Sequence, residues 1–554
     1  MPNDLLRKGF NLLLKRQTNI LSAAFVIMAT VILSQILGLI RQRLLVSIFG
    51  ASDTLGVYLA SVRLPDFLFQ LVIAGALSSA FIPVFSAFLE KGKEEDGYRM
   101  ASTLLLVGLV IFSSLALILF IFTPFFLQLM NLGSGFTGRE MDLMTNLTRI
   151  VIFSQLLFII GTFFSALLQS YSRFFIPGIA AATYNLGIII GIVTLSPVVG
   201  IYAAVYGSIL GALIFILVQL PVVKKVGFSF VPILSLDVPG VMEVLKLMWP
   251  RTLSVAIFQV GTIITVSLVS FLPQSGRHYV IFDYAQTLAF APIVLFGQTI
   301  AQAAFPILAR EREKLNDFKI TFITSFNQML YLILPISALF FVLRIPIVRL
   351  VFGAGQFDWQ ATVLTGRTLA FFSLAMFAQA LIYLVSRGFY ALHDTKTPLI
   401  VGTITTILMI FLSMIFILRY GYGVESIAIA YSIGGICNLV ILMKILDKKV
   451  NGFDKLSLLL SISKIFLATL FTGFALYIPI KLLDQLVFDT TRTINLLMLT
   501  GISSLLGLSL YLFLTWLFNV KEAMTFILLF KKLGNWREIL GTTDEVIDAT
   551  RTNP

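Results

Sequence analysis

The chain has 554 residues, 58% of them hydrophobic, and carries one cysteine, two histidines and a formal net charge of +13. Its mean hydropathy of +0.97 and an apolar share far above the roughly 45–50% of soluble proteins exclude a water-soluble globular fold. A lone Cys437 excludes an internal disulfide, and His278 and His393 are too few for a metal-ligand cluster.

In chain order, residues 1–20 read as a cytoplasmic amphipathic lead-in. Their basic start at Arg7, Lys8, Lys15 and Arg16 runs into a full-length apolar span with no small-residue cleavage site behind it. Fourteen spans follow, each read as a helix because backbone polar groups inside hydrocarbon must be satisfied within the segment. They begin near Leu21, Leu55, Ala101, Asp142, Ile176, Ile201, Val241, Val280, Thr321, Ala361, Pro398, Gly423, Leu456 and Thr493. The predicted architecture is an all-α polytopic membrane protein. An N-lobe of six spans covers 21–223, a cytoplasmic linker 224–240 and a C-lobe of six spans 241–447. Two more spans occupy 456–519, and a tail over 520–554 is expected to be a short cytoplasmic helix followed by disorder.

The positive charge is distributed by loop. Lys91, Lys93 and Arg99; Lys224 and Lys225; Arg310, Arg312, Lys314 and Lys319; and Lys444, Lys448, Lys449 and Lys455 fall in alternate loops, whereas 50–54, 197–200 and 353–360 contain no Lys or Arg. This pattern is the positive-inside rule, so the excess cations signify topology and not nucleic acid, and both termini are expected in the cytoplasm.

Six of the spans are written twice. Pro83 and Pro306 stand 223 residues apart, Pro124 and Pro346 222, and Pro177 and Pro398 221; Gly133-Ser134-Gly135-Phe136 likewise matches Gly353-Ala354-Gly355-Gln356-Phe357. Since the offset covers an even number of spans, the halves share one orientation, the parallel-repeat class in which the substrate path runs between halves.

Ionisable residues inside spans cost roughly 2.5–3.5 kcal/mol each on insertion scales and face protein or a wet cavity. Ser34, Gly38 and Arg41 share one face of the first span, followed by Arg43. Arg41 reads either as a cation facing a central cavity or as one snorkelling at a helix end. In the second span Arg63, Asp66 and Gln70 form one stripe beside Pro65, which should kink the helix and free a carbonyl; the two charges make either an internal ion pair or a cation that an anionic ligand competes for. Arg251, with Ser254, Gln259, Thr262 and Thr265, marks the seventh span, and Asp283, Gln286 and Thr287 the eighth, lining either a cavity or a helix contact. Arg149, Arg367 and Arg387 add further cations within spans, and a mostly positive set favours an anionic substrate. Asp394 is placed to cap the helix starting at Lys396, Thr397 and Pro398. No nucleotide-binding loop or catalytic triad is present in the sequence, so transport would draw on an ion gradient, the membrane potential or the substrate gradient.

Several stretches resemble the MurJ (MviN) family of lipid II flippases, in the multidrug/oligosaccharidyl-lipid/polysaccharide (MOP) exporter superfamily. They are the run from Ser34 to Arg41, Ile48-Phe49-Gly50-Ala51, Arg63-Leu64-Pro65-Asp66, the run from Gly75 to Pro83, Phe352-Gly353-Ala354-Gly355-Gln356-Phe357, and the run from Gly388 to Pro398. The resemblance covers the chain through its twelfth span. It implies a V-shaped pair of six-helix lobes with two extra helices in a bacterial cytoplasmic membrane, no cofactor, and a non-enzymatic activity: alternating access that carries a lipid-linked pyrophosphoryl glycan to the outer leaflet. Arg41 matches the family's first-span arginine, while Gln35, Phe69, Gln70, Gln286 and Thr287 stand where charged residues are usual. Arg43, Arg63 and Arg251 are the candidate replacements in a cavity expected to stay net positive when empty. Another lipid-linked glycan, a cation-coupled multidrug antiporter using Asp66 and Asp283, and a transport-inactive scaffold are the alternatives.

Overall fold

In the computed structural model, which describes residues 20–74, 80–486 and 492–524, the apolar segments fold as helices throughout. They are α1 (Ile20–Phe49), α2 (Asp53–Ser61), α3 (Arg63–Phe69), α4 (Ile82–Glu90), α5 (Glu94–Met130), α6 (Gly138–Ser170), α7 (Phe175–Val199), α8 (Tyr202–Lys225), α9 (Val241–Val269) and α10 (Ser275–Pro292). The second half continues with α11 (Thr299–Arg310), α12 (Leu315–Val342), α13 (Arg344–Phe352), α14 (Trp359–Ser373), α15 (Met376–Ala391), α16 (Lys396–Met414), α17 (Glu425–Lys449), α18 (Lys455–Leu486) and α19 (Thr493–Leu517). Among the described residues twelve segments are long and apolar enough to cross a membrane, and the α14–α15 pair, bent by 43°, makes a thirteenth. The remaining expected span is α9, whose Gln259–Val269 stretch is apolar. The lead-in before Ile20 and the tail beyond residue 524 lie outside the described residues.

Helix starts differ most from the sequence reading where polar residues extend a helix past the hydrocarbon. α5 begins at Glu94 and α12 at Leu315, where hydropathy alone put spans near Ala101 and Thr321.

The duplication is legible in the backbone. π-helical segments begin at Gln70 and at Ile293, 223 residues apart. Ser172 and His393, 221 apart, both take left-handed conformations (φ 57° and 58°), as do Ser134 and Gly355 (φ 55° and 57°) and Gly200 and Gly421 (φ 58° and 66°). The α6–α7 and α15–α16 turns even share their hydrogen bonds: Arg173 N donates to Leu168 O and Asp394 N to Phe389 O, both at 2.9 Å. Pro177 and Pro398 are each the third residue of the helix that follows, where the missing N–H has no intrahelical partner to lose.

By proximity the described chain divides into two units. The first takes the residues up to Asp283 together with Val351–Leu364 and Ile410–Ile427; the second takes Tyr284–Leu350, Thr365–Met409 and the chain from Ala428. Within the first, α7 and α8 pack backbone to backbone through two Gly-xxx-Gly repeats. A Cβ on Gly187 would lie 2.3 Å from the Gly211 Cα, and one on Gly191 2.4 Å from the Gly207 Cα. Small residues are the usual device for helix association in lipid, where hydrophobicity supplies no drive. Within the second, α19 docks on α12 as Tyr511 donates to the Tyr331 carbonyl at 2.7 Å.

The α15–α16 turn of the second unit is held as its residue types predict. Asp394 accepts from Thr397 N at 3.0 Å and Thr397 Oγ1 at 2.8 Å, and Lys449 Nζ reaches it at 2.6 Å. Burial opposes its ionisation, but the Lys449 bond and the two from Thr397 outweigh this and hold the carboxyl at about 2, below the ordinary 3.8. Lys396 is exposed and Pro398 buried. A carboxyl held lower in the folded state stabilises above its unfolded value and stops doing so as pH falls through about 2. Asp394→Asn should therefore cost on the order of 1 kcal/mol at pH 7, with thermal scans in detergent showing parent and variant converging near pH 2.

Candidate functional site

Two prolines in the first unit each remove a backbone donor, and α6 repairs both losses with adjacent residues. Pro65, third in α3, leaves the Ser61 carbonyl without its helical partner, and Thr148 Oγ1 donates to it at 3.1 Å. The backbone stays helical at Val62 (φ −76°, ψ −22°), just ahead of Arg63, so the lost hydrogen bond interrupts the ladder without ending the span. Pro124 kinks α5, where Phe122 is non-helical; the Phe120 carbonyl it frees accepts from Arg149 Nε at 3.1 Å, with the guanidinium 5.1 Å from the Phe120 ring centre. Arg149 is thus a structural cation. In the second unit Arg387 lies over the Phe305 ring at 5.3 Å, and Arg367 is exposed.

Four charged side chains of the first unit form one electrostatic group. Arg63, half-buried, points to α10: its Nη2 forms an ion pair with Asp283, and its Nε donates to Tyr279 Oη at 2.6 Å. Tyr279 and Asp283 are i and i+4 on one helix face and grip the guanidinium together. The expected direct Arg63–Asp66 pair is therefore replaced. Asp66 bonds to Gln70 one turn on and feels Arg63 only through space. α3 passes directly into the π turn starting at Gln70.

Arg41 is handled differently. Its Nη1 donates to Asn185 Oδ1 at 3.0 Å, while Asn185 Nδ2 donates to the Ser34 carbonyl at 3.2 Å and its hydroxyl at 3.3 Å. The Ser34–Gly38–Arg41 face thus lies against α7, where the Asn185 amide passes beside Gly38. The guanidinium is half-buried, and the Tyr58 and Tyr184 hydroxyls are within its electrostatic reach. Asp66 in turn acts on Tyr184, which links the Arg41 and Arg63 sites. Arg41, Arg63, Asp66 and Asp283 cancel in formal charge, so these described side chains do not give the net positive cavity expected. Among the described residues no carboxylate forms an ion pair with Arg41. The Arg251 side chain lies outside the described residues. Thr262 bonds within its own helix to Gln259, a structural use of that polar stripe.

Arg43 sits elsewhere, donating from Nη1 to the Val351 carbonyl at 3.2 Å. It belongs to a pair of junctions at the span ends remote from the lysine-rich loops. At the end of α1, Gln356 N donates to Ser47 O at 2.9 Å. At the end of α9, Gly135 N donates to Ser270 O at 2.9 Å and Gly133 N to Ser270 Oγ at 2.8 Å. Ser47 and Ser270 are 223 residues apart, so each half's glycine loop docks on the other half's first helix. Gly355, not Gly353, carries the required conformation: at φ +57° its Cβ would lie 2.2 Å from Ser47 O. Gly50, at φ +66°, turns the chain out of α1 beneath Gln356. Arg277 closes the same end, its backbone N donating to Asp53 at 2.8 Å and its side chain pairing with Asp358 at 2.9 Å. Pro83, exposed in the first turn of α4, is a helix-start residue.

Asn185, Tyr279 and Thr148 were missed from sequence. Asn185 carried a signal, an amide inside an otherwise apolar span, and the i, i+4 spacing of Tyr279 and Asp283 carried another.

Duplicated helical halves with arginines held inside the spans make up a polytopic membrane protein, and solved structures of the MOP exporter fold share its architecture. A lipid II flippase MurJ in an inward closed conformation superposes with a TM-score of 0.73 at 24% identity, over 89% of this chain and 98% of that one. An inward-facing multidrug resistance MATE family transporter of the MOP superfamily gives 0.63 at 14% identity, over 77% and 98%. The family model for lipid II flippase MurJ matches residues 45–496, and the chain belongs to that family. Its curated relatives include the lipid II flippase MurJ of Burkholderia cenocepacia, 27% identical over 78% of this chain and 84% of that protein. The probable lipid II flippase MurJ of Vibrio cholerae is 28% identical over 77% and 82%.

The α1 junction can be tested against a matched glycine. Gly92 also has positive φ (+68°), but a Cβ added there would meet nothing within 4 Å. Ala at Gly92 should cost about 1–2 kcal/mol for backbone conformation alone, whereas Gly355→Ala should cost about 1–3 kcal/mol more through the clash with Ser47, as read by thermal unfolding in detergent.

Proposed function

We propose that this chain flips lipid II from the cytoplasmic to the outer leaflet of a bacterial cytoplasmic membrane by alternating access, with both termini cytoplasmic. The single observation that carries the reading is Arg41, a guanidinium inside a membrane span fixed by a neutral amide and not by a carboxylate. Such a cation is oriented yet keeps its charge, and guanidinium suits phosphate oxygens through paired hydrogen bonds. The orientation follows from Lys224 and Lys225 closing α8, Arg310 closing α11 and Lys448 and Lys449 closing α17, all at ends assigned inside by the positive-inside rule.

Arg63 is a second, gated cation. Its charge is taken up by Asp283, so a pyrophosphate must compete with that carboxylate. The exchange lets binding alter the α3–α10 contact, which is the kind of coupling alternating access needs. Opening the far end then requires the Ser47 and Ser270 junctions to part. An ion gradient or the membrane potential supplies the drive, and no cofactor takes part. Relatives named lipid II flippase make that pyrophosphoryl lipid the substrate of choice among lipid-linked glycans.

In proteoliposomes given labelled lipid II, Arg41→Ala should abolish flipping while leaving the melting temperature within a few degrees of the parent. Its loss of lipid II binding should be about tenfold to hundredfold, the scale of one charged hydrogen bond. Asp283→Asn, which frees Arg63, should tighten binding and slow turnover. Transport that persists in the Arg41→Ala, Arg63→Ala double variant would rule out recognition through these cations.

A further inference from the structure

We infer that Asn185 is a positioning residue for the substrate's pyrophosphate: it holds the Arg41 guanidinium through a neutral oxygen, so the cation is aimed without its charge being cancelled. The inference deepens the reading above and rests on it.

The orientation of the Asn185 amide follows from its partners. Its Nδ2 contacts the Ser34 carbonyl at 3.2 Å, and a carbonyl can only accept, so the NH2 group must face Ser34 and the oxygen must face Arg41. The oxygen then takes Arg41 Nη1 at 3.0 Å. With its other end tied to Ser34, the amide of α7 is held at both its oxygen and its nitrogen by α1. Arg63, by contrast, has a carboxylate on one nitrogen and a tyrosine hydroxyl on another. Two arginines of one unit are therefore oriented by opposite means, and only the neutral one leaves a full charge for an incoming anion.

The chemistry makes an amide the required side chain. Aspartate at position 185 has nearly the same shape and would bind Arg41 more tightly, but it would neutralise the cation and compete with phosphate oxygens. Alanine would free Arg41 without adding charge. A role confined to helix packing predicts no such distinction between an added charge and a lost contact.

The test compares the full-length parent, Asn185→Asp and Asn185→Ala in detergent, using a polyprenyl pyrophosphate and the matching phosphate-free polyprenol as probes. Asn185→Asp should lose pyrophosphate affinity by about tenfold to hundredfold, keep polyprenol affinity, and melt no lower than the parent. Asn185→Ala should lose about threefold to tenfold on the pyrophosphate only. If the aspartate variant does not fold, the alanine variant's pyrophosphate-to-polyprenol ratio decides: a selective loss supports the inference and an equal loss on both probes overturns it. A parent that binds the pyrophosphate together with an Asn185→Asp variant that binds it equally well overturns the inference alone. A parent that binds no pyrophosphate overturns the functional reading, and the inference with it.

Discussion

A guanidinium inside a membrane span must be given partners, and this chain meets that constraint in three ways with different consequences. Arg149 is spent on a carbonyl freed by Pro124 and on the Phe120 ring, so its charge serves the bend in α5. Arg63 is matched by Asp283 and Tyr279. Arg41 is aimed by Asn185. Removing one partner of a buried ion pair leaves a costly lone charge, whereas removing a neutral acceptor leaves the cation nearer its bare state. Arg63 is consequently the group whose charge is matched across two helices, and Arg41 the group held by a neutral acceptor.

The repeat explains where the far-end junctions fall. Because each half's glycine loop docks on the other half's first helix, the two junctions are related by the duplication and load the same backbone atoms, the Ser47 and Ser270 carbonyls. Backbone hydrogen bonds to a glycine loop depend on the loop's conformation more than on side-chain identity. Arg43 and Arg277 are engaged at this end, on the Val351 carbonyl and on Asp358, and not beside Arg41 and Arg63.

Spans, repeat and family were legible in the sequence because each depends on local residue type. Hydropathy locates the long apolar helices, whereas the short α13 (Arg344–Phe352) carried no such signal and α2 and α3 were read as one span. The site was legible only in part. Arg41, Arg63, Asp66 and Asp283 could be named as unusual inside spans, but their pairing could not, since Arg63 chooses a partner 220 residues away over one at i+3. Asp66 and Gln70 were read as one stripe with Arg63; all three follow Val62 on one stretch of helix, and it is the Tyr279–Asp283 face of α10 that draws Arg63 away from them. Likewise Arg43 lies two residues from Arg41 in sequence, and the helical turn between them sends it to a different carbonyl altogether.

The central claim is that this chain moves lipid II. It is tested most directly in bacterial cells depleted of their own lipid II flippase, by expressing the chain and measuring how much lipid II becomes accessible to an outer-face probe. Restored accessibility and growth with the parent chain is the result the account predicts. A chain that reaches the membrane in full amount and leaves lipid II on the cytoplasmic face would contradict it.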